Sequence, residues 1–152
     1  MEKIDILCIG TPRVNGDAVG PMVGTMLLKR GVAGDVNIIG TLEKPVIKTN
    51  YIERLKELRE DAYLIVVDAA VAPRGPVPSY MLRVGQMIPG ASRDTTHNPI
   101  GDIVIKCFTA REFNELLTFP AEQLNQMAFE ITTTLIDLTC NNKIKEYIEE
   151  NK

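Results

Sequence analysis

Three short runs in the first half of the chain are almost continuously apolar: Ile4 to Ile9, Val36 to Ile39, and Tyr63 to Val67 within "AYLIVVDAA". Unbroken apolarity of this kind suits strands covered on both faces, as in parallel sheets. Between the runs the period changes to that of a helix, over about Val19 to Arg30 and about Lys48 to Glu60. In the second of these, Tyr51, Ile52, Leu55 and Leu58 make one apolar stripe, with Glu53, Lys56, Glu57 and Glu60 outside it. Strand, helix, strand, helix, strand predicts an α/β fold with a mostly parallel, doubly wound sheet.

The character changes from Val71 to Gly101, where five of the nine prolines fall: Pro73, Pro76, Pro78, Pro89 and Pro99. Only Tyr80 to Val84 alternates well enough there to predict a strand. A further strand is expected at Ile103 to Phe108. A long helix is expected over about Ala121 to Leu138, with Leu124, Met127, Ala128, Ile131, Leu135 and Leu138 inward and a charged tail after it. No internal repeat or low-complexity tract interrupts the pattern.

Composition narrows the classes. A chain of 152 residues with 45% hydrophobic content has the size of one domain, expected to span 1–152, and such a domain buries about two-thirds of its unfolded surface. The formal net charge of -3 and the lack of a basic run argue against DNA or RNA as partner. Cys8, Cys107 and Cys140 are widely spaced and form no C-x-x-C pair, the usage of a reducing compartment. The N-terminus enters an apolar strand directly, without the pattern of a signal peptide. No apolar run reaches the roughly 18 to 20 residues that cross a bilayer. A cytoplasmic protein with no membrane partner is the expectation.

The candidate chemistry begins in "CIGTPRVNGDAVGPMVG", residues 8–24. Its glycines suggest a phosphate loop, but the spacing of Gly10, Gly16, Gly20 and Gly24 fits neither the Walker pattern nor G-x-G-x-x-G. Asp17 also stands where a carboxylate would repel phosphate. Gly20 and Gly24, four apart, read as one helical face that approaches the sheet closely. As for Asp17, a helix N-cap there would make Pro21 the residue whose N–H closes the first intrahelical bond, and proline has none. The helix is therefore expected to start a residue or two later, leaving Asp17 on the loop with its side chain free.

A second acid, Asp68, is expected at the end of the third strand. Ligand crevices of open α/β sheets lie outside the carboxyl ends of the strands, so neighbouring first and third strands would bring Asp17 and Asp68 together. Such a pair splits its titrations, one acid protonated and the other ionised, and activates water against an amide. His97, the only histidine, lies in "SRDTTHNPIG". It is either an ordinary surface histidine or the third member of a nitrogen and oxygen ligand set for nickel or zinc with Asp17 and Asp68.

The segments "IGTPRVNGDAVGPMVG", "GTLEKPVIKTN", "LIVVDAAV", "MIPGASRD" and "PIGDIVI" resemble the YyaC-type sporulation proteins. These are related to the spore germination protease and, more distantly, to the hydrogenase maturation endopeptidases. The resemblance runs from about Ile4 to about Leu138 and implies a three-layer α/β/α fold of the phosphorylase/hydrolase-like type. It also implies that Asp17 in "GDAVGP" and Asp68 in "VVDAAV" match the catalytic acids of the spore protease. In the hydrogenase peptidases the matching acids, with a histidine from a later loop, bind nickel of the precursor substrate, and His97 is the residue here that stands for that histidine. "IGDIVIKCF", however, runs directly into a strand where those peptidases have a helix.

The expected activity is that of a sporulation-associated, peptidase-like hydrolase acting on a protein or peptide, with Asp17 and Asp68 catalytic. Thr11, Asn15, Gly16 and His97 are the expected substrate-binding positions, and the loop Val71 to Gly101 is expected to shape the groove. Two alternatives stay open: a nickel-sensing maturation-type endopeptidase that uses Asp17, Asp68 and His97, and a non-catalytic interaction protein on the same fold.

Overall fold

The computed structural model describes residues 1–92 and 98–152. Five strands form one sheet: β1 (Lys3–Cys8), β2 (Asp35–Ile39), β3 (Tyr63–Val71), β4 (Ser79–Val84) and β5 (Ile103–Ala110). Their order is β2-β1-β3-β5-β4, parallel throughout except for β4, which pairs antiparallel at the edge. The strands expected from the apolar runs are all present, and β1 and β3 are neighbours.

Alternation along the central strands sorts side chains onto two faces. Ile4, Ile6 and Cys8 of β1, Ile65 and Val67 of β3, and Ile103 and Ile105 of β5 face one way. They meet Val23 and Leu27 of α1 (Val19–Arg30) and Leu124, Ile131 and Leu135 of α3 (Ala121–Thr139). Leu7, Ile9, Val66 and Val104 face the other way, against Val46, Met87 and Tyr51 of α2 (Tyr51–Leu55). The molecule is therefore layered α/β/α, with a thick helical layer on one face and a thinner layer of α2 and loops on the other. Each fully buried Leu or Ile stabilises by about 1.5 to 3 kcal/mol, and most of these residues lie on the α1 and α3 side.

Three features depart from the sequence expectations. The helix expected over about Lys48 to Glu60 is helical only at Tyr51–Leu55, and Ile52, expected inward, is 44% exposed. The chain leaves the helix because Arg59 is drawn to the buried Asp5: the Arg59 N–H and guanidinium both donate to its carboxylate, at 2.7 and 2.9 Å, and the guanidinium reaches Asp35 as well. The charged tail ends in a helix, α4 (Ile144–Glu150), because Ile144 is buried and Glu2 accepts the otherwise unpaired N–H groups of Ile144 and Lys145. Finally, β3 does not end at Asp68 but continues to Val71, since its pairing with β5 outlasts its pairing with β1.

Helix α1 starts at Val19 with Ala18 as its N-cap residue, so Asp17 is not the cap. The two glycines of α1 pack as their spacing suggests. A β-carbon at Gly20 would collide with the Ile9 carbonyl, and one at Gly24 with the carbonyl of Gly40. Among the described residues, no helix is long and apolar enough to cross a membrane.

Candidate functional site

The strand order reverses between β1 and β3. From β1 the chain crosses one face through α1 to β2 on one side; it then crosses the other face through α2 to β3 on the opposite side. Their carboxyl ends consequently flank the crevice where open α/β sheets bind ligands.

Asp17 reaches this crevice on a short 3-10 turn, Asn15–Asp17, between β1 and α1. Gly10, at φ +148, lets the loop fold back on itself, because a β-carbon there would strike the Asp17 carbonyl. The Asp17 carboxylate, expected to be free, accepts the Thr11 N–H at 3.0 Å, which fixes its direction. Burial lifts its pKa from 3.8 to about 6, a rise that the Thr11 amide partly offsets.

Asp68 lies inside β3, one residue beyond the last pair of β3 with β1 and opposite Lys106 of β5. Alternation puts it on the face of Val66, away from α1, and it is 5% exposed. Burial lifts its pKa from 3.8 to about 8, with the Asp17 charge adding to the rise. The Gly90 and Ala69 N–H groups and the Lys106 charge pull the other way. The sheet thus brings the two expected acids within range of each other's charge.

The remaining expected positions have varied surroundings. The Asn15 side-chain amide donates to the Phe119 carbonyl at 3.0 Å, so it ties the loop to the start of α3. Gly16 is buried, and a β-carbon there would meet Leu116 of the 3-10 segment Phe113–Thr118. The Thr11 hydroxyl accepts the Arg13 N–H at 3.3 Å. His97 lies outside the described residues. A nickel or zinc ion would find two oxygen donors in Asp17 and Asp68, and its third donor in the expected set is His97. Among the described residues, no group of three or more His, Cys, Asp or Glu side chains is arranged to hold a metal.

Three residues of the site were not singled out from the sequence. Thr109 is buried and donates from its hydroxyl to the Gly16 carbonyl at 2.5 Å, which pins the Asp17 turn to β5. Lys106 is the charged residue of β5 at the register of Asp68; a lysine inside the apolar run "IVIKCF" was the available signal. Tyr51 heads α2 and is fully buried, and the Asp68 charge reaches its phenol. Only the tertiary packing brings it to the site.

A mostly parallel five-stranded sheet between helices in this order is an α/β fold like that of the hydrogenase maturation proteases. The chain aligns with the NiFe hydrogenase maturation protease HycI of Thermococcus kodakarensis KOD1 at TM-score 0.60 and 20% identity, covering 91% of this chain and 93% of that one. It aligns with the hydrogenase 2 maturation peptidase of Thaumarchaeota archaeon SCGC_AB-539-E09 at TM-score 0.56 and 15% identity, covering 90% and 97%. By sequence the chain belongs to the family described as "Protein of unknown function (DUF1256)", which matches residues 1–134. The uncharacterized protein YyaC of Bacillus subtilis strain 168 is 33% identical over 107 residues, 68% of this chain and 52% of YyaC. The match thus spans about half the length of that relative.

Proposed function

We propose that the protein is a peptidase-like hydrolase that cleaves a protein or peptide substrate with Asp17 and Asp68 as a carboxylate pair. The observation that carries this reading is the splitting of the two acids. Near neutral pH, Asp17, at about 6, is largely ionised, while Asp68, at about 8, keeps its proton. One base and one acid then stand within range of each other's charge beside the carboxyl ends of β1 and β3.

The chemistry follows from those states. Asp17 draws a proton from a water molecule as the water oxygen attacks the scissile carbonyl carbon. Asp68 gives its proton to the carbonyl oxygen, so that no full oxyanion forms. The tetrahedral intermediate collapses as the proton held by Asp17 passes to the leaving nitrogen, and Asp68 recovers its own. The Thr11 N–H directs the Asp17 carboxylate, and Thr109 holds the turn that carries it. Thr11, Asn15 and Gly16, on the loop that carries Asp17, are assigned with His97 to substrate binding. The sporulation setting rests on the resemblance to YyaC-type proteins.

The test is incubation of the purified protein with a proteome-derived peptide library, reading new termini by mass spectrometry. Sequence-selective new termini are expected with the wild type and not with Asp17→Asn. A wild type that generates none, or an Asp17→Asn variant that generates the same set, would contradict the proposal.

A further inference from the structure

Lys106 is the charged residue of β5, half-buried between the buried Ile105 and Cys107. Strand β5 lies inside the sheet, between β3 and β4, so this lysine brings a full charge into the otherwise apolar run Ile103 to Phe108. Its register gives that charge a neighbour. Lys106 is the partner of Asp68 on the parallel strand β3, just as Val104 is the partner of Val66, and Val104 and Val66 share one core cluster. Two residues further along each strand the side chains return to the same face. Lys106 and Asp68 therefore leave adjacent strands side by side, with the strands about 4.8 Å apart.

The strand order then sets the direction in which charge moves during the reaction. Asp17 follows β1, Asp68 lies in β3 and Lys106 in β5, three neighbours in the sheet. At the start the negative charge of the pair is on Asp17 and Asp68 is neutral. As water attacks, Asp17 takes its proton, the new O–C bond forms, and the π electrons of the carbonyl move to its oxygen, which receives the proton of Asp68. Asp17 ends neutral and Asp68 ends as a carboxylate. One negative charge has moved from the β1 side onto β3, one strand closer to Lys106. A cation that is closer to the charge at the end of a step than at its beginning lowers the barrier and does not merely tighten binding.

We propose that Lys106 is a positioning residue that acts through Asp68, its ammonium stabilising the negative charge that arrives on Asp68 when the scissile carbonyl oxygen is protonated. This rests on the catalytic reading of Asp17 and Asp68. Lys106 stays protonated throughout and exchanges no proton with the substrate. It makes no ion pair with Asp68 in the resting state, where Asp68 keeps its proton and offers no full charge. The charge of Lys106 nevertheless favours the carboxylate form, against burial and the Asp17 charge. The competing account is a lysine whose stem covers the sheet beside Met81, its partner on β4, and whose head only reaches water.

Lys106→Met keeps an apolar stem and removes the charge, whereas Lys106→Arg keeps the charge. Both should hold the wild-type Tm, and Lys106→Gln serves as the uncharged variant should Lys106→Met lower it. For one selected peptide, kcat of the uncharged variant should fall about tenfold with KM unchanged, because the charge is felt during proton transfer and not when substrate binds. Lys106→Arg should recover most of that loss. In the Asp68→Asn background no charge arrives on position 68, so removing the lysine charge should leave the residual rate where it is. Wild-type kcat in the uncharged variant, an equal loss in Lys106→Arg, or the same loss repeated in the Asp68→Asn background overturns the assignment in favour of the solvated lysine. If the wild type cleaves nothing, or Asp17→Asn and Asp68→Asn retain cleavage, the carboxylate pair itself fails and this assignment falls with it.

Discussion

The charge of Asp17 raises the pKa of Asp68 across the junction of β1 and β3, on top of the larger rise that burial causes. Asp17 is therefore part of the environment of Asp68, and the neutral form of Asp68 is the one the fold favours at pH 7. This relationship has a consequence for stability as well as for chemistry.

A carboxyl held above its unfolded pKa keeps a proton that the unfolded chain has released, so the folded state is penalised as pH rises. For Asp68 the penalty develops from about 4 to about 8, and for Asp17 from about 4 to about 6. Replacing Asp68 by asparagine removes the titration while keeping the shape. The Tm of Asp68→Asn minus that of the wild type should be near zero at acid pH, and should rise to several degrees at the alkaline end of the window. Thermal unfolding followed by circular dichroism across that range measures it, and a constant difference would show that Asp68 is not held protonated.

The Thr109 hydroxyl is the strut between β5 and the Asp17 turn. Thr109→Val leaves the buried Gly16 carbonyl unpaired and should cost about 1 to 3 kcal/mol. Chemical denaturation gives the stability, and cleavage should fall at the same time because the turn carrying Asp17 is no longer pinned. Equal stability in the variant would mean that the strut is replaced by solvent.

Two glycines separate close backbone packing from ordinary exposure. A β-carbon at Gly24 would meet the Gly40 backbone carbonyl, whereas one at Gly90 has open space around it. Gly24→Ala should destabilise by about 1 to 3 kcal/mol as the helix is pushed from the sheet. Gly90→Ala should change stability by less than about 0.5 kcal/mol and keep the amide that faces Asp68. Denaturation midpoints of the two variants, compared side by side, distinguish them.

Much of this arrangement is legible in the residue pattern. The near-continuous apolar runs mark β1 and β3 because strands buried on both faces leave no room for polar alternation, and the same pattern marks β2 although that strand is half-buried at the sheet edge. Pro21 moves the helix start past Asp17, and the four-residue spacing of Gly20 and Gly24 marks the helix face that touches the sheet. The length of α2 was hidden, since its apolar stripe continues beyond Leu55 while the chain is drawn off by the distant pairing of Arg59 with Asp5. Thr109, Lys106 and Tyr51 were hidden for the same kind of reason. Their roles come from strand register and from packing across the sheet, which no local period encodes. The helix α4 depends on Glu2 at the other end of the sequence.

The most direct test of the catalytic pair is the initial rate of cleavage of one selected peptide by the wild type, Asp17→Asn, Asp68→Asn and the double variant. All four should be folded by circular dichroism. Two acids acting as one unit are non-additive, so each single variant should lose about as much rate as the double. Wild-type rates in either single variant, or losses in the singles that simply multiply in the double, would contradict the account.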